Sequence, residues 1–190
     1  MAEIIVEIDP EPDNPREFGA FGKIISFHGK YDIGDKHDVR HRDFEDWDGL
    51  ENHLRRNCGA LIALPLYLMD HSGISISTAD FGCRWDSGQI GFIYADRDVI
   101  TRAFNISRMT KKNIERVTAA LEEEVKIYDQ YLRGDVWMYT IKDDEGNELE
   151  SHRGFYSEHD AQEAAEIAVC YQEKKDDRLQ QVRGVLQPGM

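Results

Sequence analysis

At 190 residues, with 41% hydrophobic and 10% aromatic content, the chain is long enough to bury a core of ordinary size, and no apolar run approaches the roughly 20 residues that cross a bilayer. Its 37 acids outnumber its 23 bases, for a formal charge of −14; such a field repels nucleic acid and anionic lipid and disfavours direct binding of either. The three cysteines, Cys58, Cys83 and Cys170, lie far apart with no paired spacing, which argues against a disulfide framework and a cysteine-rich zinc site and suits the reducing cytoplasm.

The first residues, Glu3-Ile-Ile-Val-Glu-Ile8, carry acids where a signal peptide carries bases, and predict a strand. A second strand is expected at 24–27, and three prolines within 9–15 forbid regular structure in the acidic loop between them. Residues 29–43 are polar and predict a loop or an irregular turn of helix. Phe44, Trp47, Leu50 and Leu54 recur at helical spacing, so an amphipathic helix should end before Gly59. Residues 60–69 are nearly all apolar, which predicts a strand buried on both faces, with Pro65 putting part of it at an edge. The turn Asp70-His-Ser-Gly73 folds 74–77 back as a hairpin. A strand at 90–94 and a short helix at 96–104 follow.

The clearest pattern is Ile114, Val117, Leu121, Val125, Tyr128 and Leu132, a helix over 111–132 capped by Thr110 and ended by Gly134. Residues 136–141 predict a strand that returns through a tight turn at 143–147 toward Phe155. Ser157 and Asp160 open a last helix whose small face, Ala161, Ala164, Ala165 and Ala168, suits close packing on a sheet. The chain thus predicts an α+β fold, with a mainly antiparallel sheet packed by about three helices. Residues 1–172 are expected to form one domain and 173–190 a charged, frayed tail.

Candidate chemistry is sparse. His37 and His41 share the i,i+4 spacing of a zinc-binding helix, with Asp38 between them and His28 and His71 as distant partners. That pattern supports, as an alternative, a small zinc- or manganese-dependent hydrolase or nuclease; a solvated polar segment is the plainer account. Asp70, His71 and Ser72 are the three residue types of a hydrolase triad, but neighbours on an extended segment point to opposite faces and cannot form the relay. Ser87 lacks the flanking glycines of a nucleophile elbow, so Asp86-Ser-Gly88 predicts a turn, with Gly88 supplying positive φ. The phosphate-cradling glycine motifs are absent. Trp47, Trp85 and Trp137 are expected mainly in core and hairpin packing, although one at a strand-end loop can anchor an interface.

The acids are unevenly spread: residues 1–50 hold 13 against 6 bases, a net of −7. Solubility explains this most simply. The sharper reading is that Asp9, Glu11, Asp13, Asp43, Glu45, Asp46 and Asp48 imitate phosphates toward a nucleic-acid-binding partner.

The strings Gly34-Asp-Lys-His37, Leu64-Pro-Leu-Tyr67, Asp70-His-Ser-Gly73, Trp85-Asp-Ser-Gly-Gln89 with Gly91-Phe-Ile-Tyr94, Tyr128-Asp-Gln-Tyr-Leu132 and Gly154-Phe-Tyr156 resemble a family of small acidic proteins of uncharacterised function from bacteriophages and mobile elements. The resemblance covers residues 14–157 and brings no catalytic residues with it. It implies a cytoplasmic protein that acts on host machinery. The expectation is a cofactor-free, non-enzymatic protein that binds and inhibits a host protein or complex, in the manner of an anti-CRISPR or anti-restriction protein. Asp70, His71, Trp85 and Asp86 join the acids above as its contact residues. An oligomeric accessory protein that self-associates through 85–94 is a further alternative.

Overall fold

The computed structural model describes residues 2–106 and 108–185. Seven strands and four α-helices run in the order β1 (Glu3–Ile8), β2 (Lys23–Ser26), α1 (Trp47–Asn57), β3 (Ala60–Asp70), β4 (Ile74–Ser77), β5 (Ser87–Asp96), α2 (Arg97–Phe104), α3 (Lys111–Arg133), β6 (Trp137–Lys142), β7 (Glu148–Phe155) and α4 (Glu158–Val185). The fold is α+β, and its strands are divided between two antiparallel sheets. The chain forms two compact units, Asp13–Arg133 and a discontinuous one of Met1–Pro12 with Gly134–Met190.

In the discontinuous unit the sheet order is β1-β6-β7. The turn between β6 and β7 forms as the sequence predicts, because the Asp143 carboxylate accepts from the backbone N–H of Glu145 and Asn147 and from the Asn147 side chain. These donors favour its charged form and hold its pKa below the usual value, the Asn147 side chain most of all. Ser157 Oγ caps α4 by accepting from Asp160 N–H. Ala161 and Ala165 are completely buried, and Ala164, Ala165 and Ala168 pack in a cluster with Tyr139 and Ile141. Small side chains let the helix axis approach the sheet. The helix extends to Val185, past Gln172 where fraying was expected; 186–190 lie outside the described residues.

The unit Asp13–Arg133 holds the four-stranded sheet β2-β5-β3-β4. Ile24, Ile62, Leu66 and Ile93 on one face pack with Val117, Leu121, Val125 and Tyr128 of α3. Ile25, Phe92 and Tyr94 on the other pack with Leu50 and Leu54 of α1. Alternation along each strand therefore fills a core on both sides. Pro65 sits opposite Phe92 of β5, while β4 pairs only from Tyr67 onward, so the missing N–H falls where β3 has a single neighbour. At Gly91 of β5 a Cβ would overlap the Ile25 carbonyl of β2, which explains a glycine in mid-strand. Ile114, expected on the apolar face of α3, is instead 43% exposed.

Both edges of this sheet are closed by aspartates. Asp35 accepts from Ile24 N–H of β2 at 2.7 Å and returns its own N–H to the Ile24 carbonyl. Asp129 of α3 accepts from Ile76 N–H of β4 and from Ser75 Oγ, at 2.7 and 2.8 Å. A bare edge invites pairing with another chain, and a carboxylate held against it blocks that pairing.

Candidate functional site

The two sequence motifs that open at strand ends come together in space. The β3–β4 turn places Ser72 at φ 58° and Gly73 at φ 144°, and Asp70 N–H donates to the Asp86 carbonyl at 2.8 Å. The loop into β5 is closed by Ser87, whose N–H and Oγ both donate to the Cys83 carbonyl, at 3.0 and 2.6 Å. This turn directs Trp85 outward, leaving it 94% exposed, which overturns the expectation that it packs in a hairpin. Trp47 does pack, against Phe92 and His41, and Trp137 donates to Asp135. Gly88, expected to supply positive φ in the turn, is instead an ordinary residue of β5.

Beside Trp85, the Asp86 carboxylate lies 3.3 Å from His71 Nδ1 and accepts from the Cys83 thiol at 3.8 Å. Asp70 accepts from Lys30 Nζ at 3.1 Å and from the Tyr31 hydroxyl at 3.2 Å. Lys30 also stands over the Tyr31 ring at 4.6 Å, and His28 stacks on the same ring. The Lys30 ammonium holds the Asp70 carboxyl below the usual carboxylate value, and the Tyr31 hydroxyl adds to the effect. Asp70, His71, Trp85 and Asp86 thus form one surface, at one end of the four-stranded sheet.

The histidines of the metal reading have other work. His37 Nδ1 lies 3.0 Å from the Val39 carbonyl and Nε2 lies 3.1 Å from the Ser26 carbonyl. Both ring nitrogens are thus turned to backbone, and the ring ties its loop to β2. His41 packs on Phe27 and Trp47, in a 3₁₀ turn at His41–Asp43 rather than on an α-helix. His28 Nδ1 accepts from Tyr31 N–H at 3.2 Å. Asp38 is exposed, and His71 is with Asp86. Among the described residues, no three or more His, Cys, Asp or Glu side chains are grouped to hold a metal ion.

The candidate phosphate-imitating acids separate. Asp9 is 3% exposed, with Oδ1 accepting from Glu11 N–H and 3.7 Å from Arg153. Its Oδ2 is buried without a hydrogen-bond partner among the described residues. Asp9 therefore offers nothing to a partner's surface. Glu11 is exposed in the same unit. In the unit Asp13–Arg133, Asp13, Asp43, Glu45, Asp46 and Asp48 are exposed, but Asp46 caps α1 by accepting from Gly49 N–H at 2.8 Å.

Arg16, which no sequence pattern marks, is an enclosed cation, with its side chain 4% exposed. It donates to Asp35 at 2.6 Å, to Glu124 of α3 and to the Gly22 carbonyl. Glu124 accepts in turn from Gly22 N–H, and the Tyr128 hydroxyl accepts from Gly34 N–H. This cluster bolts the loops around β2 to α3.

No protein-family model matches the chain, and neither a curated protein nor a solved structure is significantly similar to it. Among the described residues no helix is long and apolar enough to cross a membrane.

Proposed function

We propose that this protein works by binding another protein, with Trp85 as the anchor and Asp70, His71 and Asp86 as its polar surround. The observation that carries this reading is the 94% exposure of Trp85 on a turn closed by two hydrogen bonds. Tryptophan is among the residues that most often dominate binding energy when a partner buries them. The turn holds it ready, so little freedom is lost on docking.

The charge of −14 selects a basic partner and speeds its approach. Together with the resemblance to phage and mobile-element proteins, it supports a host nucleic-acid-binding defence complex as the target, inhibited by occupation of its nucleic-acid groove. Asp13, Asp43, Glu45 and Asp48 are the acids suited to imitate phosphate there; Asp46 is committed to its helix cap and Asp9 to the interior.

Pull-down from host lysate followed by DNA competition tests both parts. Trp85→Ala is expected to weaken capture by about 30-fold or more, and DNA is expected to compete with the wild-type protein. Capture unchanged in Trp85→Ala overturns the anchor. Capture unchanged in the combined Asp43→Asn, Glu45→Gln, Asp48→Asn variant overturns phosphate imitation while leaving the anchor standing.

A further inference from the structure

A cleft of about 360 Å³ runs along the outer edge of β2, within the size range of small-molecule sites. Its floor is apolar: Ile25 and Tyr94 are almost wholly buried there, beside Val39 and the partly buried Cys58. Burial, with Cys58 adjacent, pushes the Tyr94 phenol up to about 12. The cleft wall is held before any ligand arrives. Asp35 is paired to the Ile24 backbone, and the His37 ring lies between the Ser26 and Val39 carbonyls, at 3.1 and 3.0 Å.

The charge that lines it has the opposite sign to the rest of the chain. Arg16, Lys23 and Lys36 line the cleft against Asp35 alone, and the Arg16 guanidinium is already taken by Asp35 and Glu124. Lys23 and Lys36 are exposed, with no acidic partner among the described residues. In a protein of net charge −14, two lysines that line a partly apolar cleft without an acidic partner are what a bound anion would complete.

We propose that this cleft binds a phosphate monoester with an apolar body, the phosphate at Lys23 and Lys36 and the body on Ile25, Val39 and Tyr94. Two separate ammonium groups match a dianion, and a phosphate monoester carries nearly two charges at neutral pH whereas a carboxylate carries one. The cleft shares no lining residue with the Trp85 surface.

Phenyl phosphate is the probe, titrated into the full chain and followed by amide NMR. Saturable shifts confined to 23–25, 36–39 and 94 are expected, in the millimolar range or tighter. Occupancy should slow alkylation of Cys58, read by mass spectrometry, and leave Cys83 and Cys170 as unchanged internal controls. Lys23→Gln with Lys36→Gln should weaken binding roughly tenfold without altering the melting temperature. Inorganic phosphate, phenylacetate and benzyl alcohol should each bind more weakly than phenyl phosphate. Shifts that are scattered or do not saturate, equal affinity in the double-lysine variant, or benzyl alcohol binding as tightly overturns the site. Phenylacetate binding equally well overturns the assignment to a phosphate monoester.

Discussion

Two clusters in the unit Asp13–Arg133 are assembled from the same parts, a cation, a carboxylate and a tyrosine ring. Arg16 pairs with Asp35 and Glu124 and stands 5.9 Å from the centre of the Tyr128 ring. Lys30 pairs with Asp70 and stands 4.6 Å from the Tyr31 ring. The first is enclosed, with the Arg16 side chain 4% exposed; the second is open, with Lys30 at 65% and Asp70 at 37%. In the enclosed cluster Arg16 and, less completely, Glu124 have been taken from water, while Asp35 keeps 31% exposure, so losing the cation strands Glu124 above all. In the open cluster water replaces a lost partner at little cost, and the charges stay available to something else. Surroundings, and not residue type, make one cluster a bolt and the other a surface.

The comparison breaks most readily at Arg16. Arg16→Ala should lower the unfolding free energy in urea by about 3 kcal/mol, because Glu124 and Asp35 lose a buried cation. A loss below about 1 kcal/mol would make the two clusters equivalent. Next in size is Gly34→Ala, at φ +93°, where a Cβ would overlap the Ile24 side chain and loosen Asp35 from the sheet edge. A cost of about 2 kcal/mol is expected, seen as a lower melting temperature.

The open cluster should respond through titration more than through stability. Carbon NMR of the Asp70 carboxyl should give a midpoint below the usual carboxylate value, and Lys30→Met should move it back up, since Lys30 is the main cause of the shift. The sign follows: a carboxyl with a lowered folded-state pKa contributes its stability at neutral pH and loses it only as pH falls through that lowered value. An Asp70 midpoint unmoved by Lys30→Met would remove the pair. Smallest of all, Trp85→Ala should change stability by no more than about 0.5 kcal/mol, because the ring touches almost nothing. A larger loss would turn the proposed anchor into a packing residue.

Local signals carried far in this chain. The helical stripe of α3 from Val117 onward, the Asp143 turn, the Ser157 cap and the alanine face of α4 all depend on residues within a few positions of each other, and each formed where the pattern put it; only Ile114, at the start of the stripe, is exposed instead. The failures share a cause. Asp9 belongs to the same acidic stretch as Asp13, yet one is buried and the other exposed. Trp85 looks like the other tryptophans in composition and differs in having nothing above it. His37 and His41 have helical spacing, but the His37 ring is turned to carbonyls of β2 and of its own loop, and the segment between them is not helical. Arg16 is a lone base after a proline, and its partners lie 19 and 108 residues away.

The sequence by itself determined the elements, the α+β class and the acidic field, because periodicity, turn chemistry and charge count are properties of neighbours along the chain. Only the tertiary structure decided which aspartates close sheet edges, which cation is buried, and that Asp70-His-Ser-Gly73 and Trp85-Asp86 share one exposed surface. Those outcomes rest on burial and on contacts between distant segments, and both exist only once the two faces of the sheet are covered.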